Sequence, residues 1–397
     1  MFALAAVAAT GAAFAQSTVT LFGGADLNVR SVTTGANKFN GMAQDGIYSS
    51  RFGVNGTEDL GGGLKANFHF EGGMNPDVGT SAKFDFQRKS VIGLSGGFGE
   101  VRLGRDYTPM FTVAGIADPF GTNGVGSSYN LANALTGNTT ATASTFATAQ
   151  AASKDGADAA SKVAAGTTYA DPNAVRANNS VTFYSPSFNG FNASLMYSFG
   201  AENTNTDKKV GKMTSVKLAY ANGPVSIAFA NQVTNGGVTG AAAVADGCKT
   251  WSGTTCSVAA PATAAVQPTD DQKWTTNFLA AAYDLGVAKL SLGYKTDKLT
   301  IGTTAGEAKA MIYGVSAPMG AATLKASYVT RKDGGNKMGN QFAMGAVYDL
   351  SKRTSVYGTY SVLKNEAGYG MSVGSAAASD FTGLRSKGFE AGVKHSF

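Results

Sequence analysis

Apolar and polar residues alternate with a period of two from one end of the chain to the other. In LKANFHFE, Leu64, Ala66, Phe68 and Phe70 fall on one face and Lys65, Asn67, His69 and Glu71 on the other. In FNASLMYSF, Phe191, Ala193, Leu195, Tyr197 and Phe199 oppose Asn192, Ser194, Met196 and Ser198. The same holds for Val216, Leu218 and Tyr220 around Lys217, for Leu290, Leu292 and Tyr294 against Lys289, Ser291 and Lys295, and for Phe342, Met344, Ala346, Tyr348 and Leu350. Successive side chains of a strand point to opposite faces, whereas a helix repeats at 3.6 residues, so these segments are strands with one apolar face. About sixteen are predicted, near 18–31, 47–57, 64–74, 84–95, 101–106, 179–185, 191–200, 213–221, 225–233, 274–283, 288–297, 310–317, 321–330, 340–349, 354–364 and 386–397.

The connections alternate in length. Short ones, such as EDLGGG at 58–63, GGFGE at 96–100, PSFNG at 186–190, NGP at 222–224 and PMG at 318–320, carry the residues that tight turns need. Between them come long ones, at 32–46, 75–83, 107–178, 201–212, 234–272, 298–309, 331–339 and 365–385. Short turns at one end and long loops at the other are the layout of a transmembrane barrel. The last segment, GFEAGVKHSF, puts Phe389, Ala391, Val393, His395 and Phe397 on one face, so the chain stops inside a strand. An unpaired apolar edge there would invite aggregation. Pairing with the first segment, TVTLFGGADLNVRSV, closes the sheet, as lipid requires because it offers the backbone no hydrogen-bond partner. Alternation alone also fits a soluble sandwich with its apolar faces packed together. Loop asymmetry, and the export signal described next, favour an all-β transmembrane antiparallel barrel, too wide at about sixteen strands for side chains to fill and therefore holding an aqueous lumen.

Residues 1–15 form an apolar stretch ending in the small-x-small triplet Ala13-Phe14-Ala15 and are predicted to be a signal peptide, with the barrel domain over 16–397. The stretch lacks the Lys or Arg expected ahead of it, which leaves open a start upstream of Met1. Cys248 and Cys256 lie eight apart in CKTWSGTTC. The oxidising conditions met by an exported chain favour a loop disulfide over a metal site, with two isolated thiols as the alternative. The net charge of +6 comes from cations spread along the strands without a basic run or basic helix face, which argues against nucleic acid and gives anions a modest advantage in a lumen. His69 and His395 are the two histidines, and no G-x-S-x-G, H-E-x-x-H or phosphate-loop pattern occurs, so neither an enzyme nor a cofactor or metal is expected.

Several stretches resemble the general-diffusion porins of Gram-negative outer membranes, in particular the trimeric sixteen-stranded type of β-proteobacteria. They are VTLFGGADLNV, SRFGVNGTEDLGGGLKANFHFEGG, QRKSVIGLSGGFGEVRLGRDYTP, ADPFG, NNSVTFYSP with FNGF, and the terminal GVKHSF. The resemblance implies a water-filled channel for passive diffusion of small hydrophilic solutes and ions, a homotrimer, and contact with outer-membrane lipid and lipopolysaccharide. It implies a third loop folded into the lumen, with Arg51, Arg88 and Arg105 on a basic wall facing Asp118 on the loop, and Phe397 as an assembly signal. Opposed charges at a constriction set up a field that filters solutes. Alternation supports Arg51; if Ile92 and Leu94 face lipid, it turns Lys89 inward in place of Arg88 and Arg102 in place of Arg105, unless bulges intervene. Thr182 stands where relatives often carry a basic residue, which counts against strong anion selectivity. The alternative function is a substrate-specific or gated channel; no stacked aromatic track is legible in the third loop, although Tyr107, Phe111, Phe120 and Tyr129 could start one.

Overall fold

The computed structural model describes residues 18–79, 85–132, 174–200, 211–235, 248–252, 255–259, 272–301, 304–367, 369–374 and 383–397. The expected export signal and the Ala/Thr-rich stretch 136–168 lie outside these residues. The strands are β1 (Thr18–Thr34), β2 (Asn37–Gln44), β3 (Arg51–Gly61), β4 (Leu64–Gly73), β5 (Lys89–Gly96), β6 (Gly99–Tyr107), β7 (Arg176–Tyr184), β8 (Phe191–Phe199), β9 (Lys212–Asn222) and β10 (Val225–Asn235). They continue as β11 (Cys248–Ser252), β12 (Thr255–Ala259), β13 (Gln272–Asp284), β14 (Lys289–Ile301), β15 (Thr304–Met319), β16 (Ala322–Asp333), β17 (Asn336–Asp349), β18 (Thr354–Asn365) and β19 (Arg385–Ser396). Three one-turn helices, α1 (Pro109–Thr112), α2 (Ala114–Ala117) and α3 (Tyr129–Ala132), follow β6.

Consecutive strands pair antiparallel, and β1 pairs with β19 from Gly24↔Ser396 to Thr34↔Ser386, so the sheet closes on itself. β2 and β3 pair with the upper and lower parts of β1 and form one traverse of the wall, while β11 and β12 pair only with each other. The result is a closed antiparallel barrel of sixteen strands. Burial is inverted relative to a soluble protein: Leu21, Val29, Ile92, Leu103, Leu218 and Phe389 are exposed on the outside, whereas Asp26, Glu71, Asp106, Arg331 and Glu390 are buried. Two apolar faces packed in a sandwich would give the opposite, so this inversion excludes that arrangement.

Strands outrun the sequence-based boundaries at the long-loop end. The segment 32–46, expected as a loop, contains the end of β1, a turn and β2; 331–339 likewise holds strand ends joined by a short turn, and 298–301 and 304–309 are the paired ends of β14 and β15. Their polar positions have no lipid to face, so periodicity fades there although ladder hydrogen bonds continue.

The seam is completed by the last residue. Gly23 and Phe397 exchange both backbone hydrogen bonds, each 3.1 Å. A Cβ on Gly23 would stand 2.7 Å from the Phe397 ring and 2.8 Å from the Arg51 carbonyl oxygen, so only glycine lets the terminal ring lie flat across β1. Gly23→Val is expected to force the strands apart at a cost of about 1–3 kcal/mol, the range for overpacking a well-filled site. In detergent electrophoresis the variant should lose its compact form at a lower temperature than the parent; adding Phe397→Ala should restore part of the loss.

Candidate functional site

After β6 the chain turns into the barrel. The Thr108 hydroxyl accepts the Phe111 N–H (3.1 Å) and Pro109 takes the first helical position, where its missing N–H is no loss. The loop then crosses the inner faces of β9 to β17. Met110 donates its N–H to Ser215 Oγ (3.2 Å), Lys217 Nζ donates to Thr112 Oγ1 (3.0 Å), Ser291 Oγ to the Ala117 carbonyl (2.9 Å) and Gln341 Nε2 to the Ser127 carbonyl (2.9 Å). Arg331, fully buried, donates to the Ala132 carbonyl and to Asp297. Met110, Val113, Ala117, Val125 and Leu131 bury their side chains against Phe278, Ile312, Val329 and Leu363, and Met371 and Val373 of the last long loop join them. The loop is also fastened to the closing seam: Glu390 accepts the Val125 N–H (3.1 Å) on one oxygen and Arg30 Nε (2.9 Å) on the other.

Asp118 is not a pore-facing acid. It is 4% exposed, and its carboxylate accepts the N–H groups of Phe120 (2.9 Å), Thr122 (3.1 Å) and Ser128 (2.9 Å), folding the loop around itself. Burial pushes the carboxyl above the usual aspartate range, and the three N–H bonds oppose that shift. Asp118 is also the one charged residue between Pro109 and Ala132, so the inner side of this segment presents no charge.

The opposite wall is dense in charge. Glu71 holds Arg88 Nε at 2.6 Å and Arg51 Nη1 at 3.4 Å, with His69 Nε2 also at 3.4 Å. Asp106 holds Lys89 Nζ at 2.9 Å and Arg102 Nη1 at 3.1 Å, and Glu100 takes Arg102 Nη2 at 2.8 Å. The Tyr107 hydroxyl accepts from both Arg88 (2.7 Å) and Arg176 (2.6 Å), and the Arg176 guanidinium lies 4.3 Å from the ring centre. Four cations, Arg51, Arg88, Lys89 and Arg102, thus share three carboxylates, Glu71, Asp106 and Glu100, and Arg176 is held by Tyr107. Tyr107 stacks on Phe111 (5.4 Å between ring centres) and Phe111 meets Tyr129 edge-on (5.7 Å), joining the wall to the loop; buried Phe120 stands apart from this stack.

Arg51 faces the lumen, as alternation predicts. So do Lys89 and Arg102. Arg88 joins them because residues 85–88 precede the regular part of β5; its N–H still bonds the Glu71 carbonyl (3.0 Å) while its side chain reaches the Glu71 carboxylate. Arg105 does not join them. It shares the parity of exposed Leu103 and bonds the Gln87 carbonyl and Asn178 Oδ1, away from Glu71 and Asp106. Thr182 faces inward directly across the ladder from Arg102. Cys248 and Cys256 lie on the β11–β12 ribbon, whose backbone register sets Cys248 against Ala259 and Cys256 against Trp251, and the side chains that the expected disulfide would join lie outside the described residues. Sequence reasoning gave no site role to Glu71, Asp106 or Arg176, and read Tyr107 only as a candidate start of an aromatic track. The parity of Glu71 with Asn67 and His69 was visible; Arg176 fell in a stretch read as loop and had no parity to read.

A family profile described as Gram-negative porin matches residues 3–368. The chain is 34% identical over 410 residues to outer membrane porin protein 32 of Delftia acidovorans, covering 100% of this chain and 99% of that one. It is 31% identical over 394 residues to an outer membrane porin of Bordetella pertussis, covering 90% and 91% respectively. Among solved structures, the anion-selective porin from Comamonas acidovorans superposes with a TM-score of 0.74 at 30% identity, covering 96% of this chain and all of that one.

The role of Asp118 is open to a direct check. Asp118→Ala leaves up to three buried N–H donors without an acceptor, each costing about 1–3 kcal/mol. It should lower thermal stability and add fast fluctuations to single-channel current as the loop loosens. Asp118→Asn keeps one oxygen acceptor but turns an NH2 donor toward the remaining buried N–H, so it should fall between the parent and Asp118→Ala in both measurements.

Proposed function

The chain belongs to the Gram-negative porins, channels of the outer membrane, and from that premise we propose that it is a passive, general-diffusion pore for small hydrophilic solutes and ions with a preference for anions. One observation carries the preference: the wall of Arg51, Arg88, Lys89, Arg102 and Arg176 faces a loop segment whose single charge, Asp118, is folded away from the lumen. A field set by a basic wall that faces an inner segment without a lumen-facing charge concentrates anions. The name of the Comamonas relative points the same way. No catalytic role is proposed. His69 bonds Glu71 in the lumen wall and His395 shares a bond with the Thr354 hydroxyl (2.9 Å), so the contacts of neither histidine form a serine or cysteine dyad. We further propose that three copies assemble through the apolar outer faces of the first and last strands, that residues 1–15 are removed on export, and that Phe397 is read during insertion.

Reversal potential under a salt gradient across a planar bilayer tests the preference. Its sign should report anions as the more permeant species, and Arg88→Ala together with Arg176→Ala should move it toward zero. The preference should shrink as salt is raised from about 0.1 M to 1 M, because the screening length falls from about 10 Å to about 3 Å. A reversal potential of cationic sign at low salt would overturn the reading. Conductance steps arriving in threes would support the trimer, and single steps throughout would count against it.

A further inference from the structure

The second traverse of the wall is broken at 45–50, between β2 and β3, and this segment folds inward. The Asp45 N–H reaches the Asp26 carbonyl (3.2 Å), and Asp26 Oδ2 accepts the N–H groups of Ile47 (2.7 Å) and Tyr48 (2.8 Å). The other oxygen of Asp26 takes the Tyr357 hydroxyl from across the seam. Ser50 donates its N–H to Asp45 Oδ1 (2.6 Å), and Ser49 Oγ bonds Asn123 Oδ1 (2.8 Å), tying the segment to the third loop. Two inward segments therefore meet inside the barrel.

The segment places one aromatic ring between two cations. Tyr48 lies over β1 at Gly24, where a Cβ would stand 3.0 Å from Tyr48 Cε1, so the bare glycine makes room for the ring. Because β1 runs between β3 and β19, the ring is flanked by Arg51 from one side and Lys394 from the other. The Arg51 guanidinium carbon is 4.3 Å from the ring centre and Lys394 Nζ is 5.6 Å from it. Arg51 also donates Nε to the Ser49 carbonyl (2.8 Å), a closer contact than the 3.4 Å to Glu71. The inner segment, more than the carboxylate, sets the direction of this arginine. Tyr107 does the same on the far side of the wall for Arg88 and Arg176.

We propose that Tyr48 is a positioning residue for solute selection, its ring holding Arg51 and Lys394 toward the lumen as a second cationic station. The inference rests on the anion-preferring reading of the pore, and the experiment separates the two. Reversal potential is measured for the refolded parent, Tyr48→Phe and Tyr48→Leu under the same salt gradient. Tyr48→Phe keeps the ring and should match the parent. Tyr48→Leu should lower the anion-to-cation permeability ratio about two- to fivefold, the size expected for losing a cation–π contact at a hydrated site. Asp26→Asn, which weakens the hold on the segment while Tyr48 remains, should shift the ratio in the same direction and stands in if Tyr48→Leu does not refold.

A changed conductance with an unchanged ratio in Tyr48→Leu would make the segment a steric element only and overturn the inference. So would equal shifts in the Phe and Leu variants, which would remove the ring as the cause. A parent without anion preference would overturn the proposed function instead, and the difference in ratio between parent and Tyr48→Leu would still decide this one.

Discussion

Every backbone N–H and C=O that crosses the hydrocarbon must find a partner within the protein, and this requirement governs the rest of the molecule. An open sheet cannot meet it; a closed one can. Closure brings β19 against β1 and ends the chain at Phe397, bonded on both sides of its peptide to Gly23. It also determines the outer surface, since a strand facing lipid on one side must alternate. With sixteen strands, closure leaves an interior that wall side chains alone cannot fill. The inner segments occupy that space, and they do so under the ordinary rules for buried polar groups. Among the described residues of the third loop, the Met110 and Val125 N–H groups and the Ala117, Ser127 and Ala132 carbonyls meet Ser215, Glu390, Ser291, Gln341 and Arg331.

The division between what the sequence reveals and what it hides follows from the same constraint. Within the hydrocarbon, alternation is enforced by lipid, and the sixteen traverses were visible residue by residue, from Leu64 to Phe70 or Leu290 to Tyr294. Beyond the membrane both faces of a strand meet water or other loops. β2 and the upper ends of β14 to β17 therefore read as loops although their strands remain paired there. The site divides in the same way. Arg51, Lys89 and Arg102 lie on regular strands, and their parity placed them. Arg88 and Arg176 lie at strand starts, where irregular backbone decouples side-chain direction from sequence spacing. Asp118 was misread for another reason: a lone acid in a loop gives no sign of whether it faces solute or its own backbone. Three N–H groups converging on it decide the matter.

Carboxylates and cations play unequal parts in this lumen. Glu71, Asp106, Asp118, Asp26 and Glu390 are each buried and each committed to two or more partners; they act as braces. A buried carboxylate without such partners would cost far more than it contributes, so every acid used to hold an inner segment is withdrawn from the solution. The cations differ in reach. Arg51, Arg88, Lys89 and Arg102 bury an apolar stem and keep the charged end part-exposed, whereas Arg331 and Lys295 are themselves buried against Asp297. One carboxylate can then anchor two of them, as Glu71 does for Arg51 and Arg88.

That asymmetry links the folding problem to the transport problem. The interior must be organised by strong polar contacts, because apolar packing against one wall cannot also fix a loop in register on the other. Short acids suit that task, and long basic residues are what remain facing the channel. Tyr48 and Tyr107 extend the arrangement. An aromatic ring positions a guanidinium or ammonium without neutralising it, which a carboxylate cannot do. Placing two cations at each of two tyrosines sets their direction while leaving the net charge of the wall positive, so geometry and selectivity are fixed by different side chains.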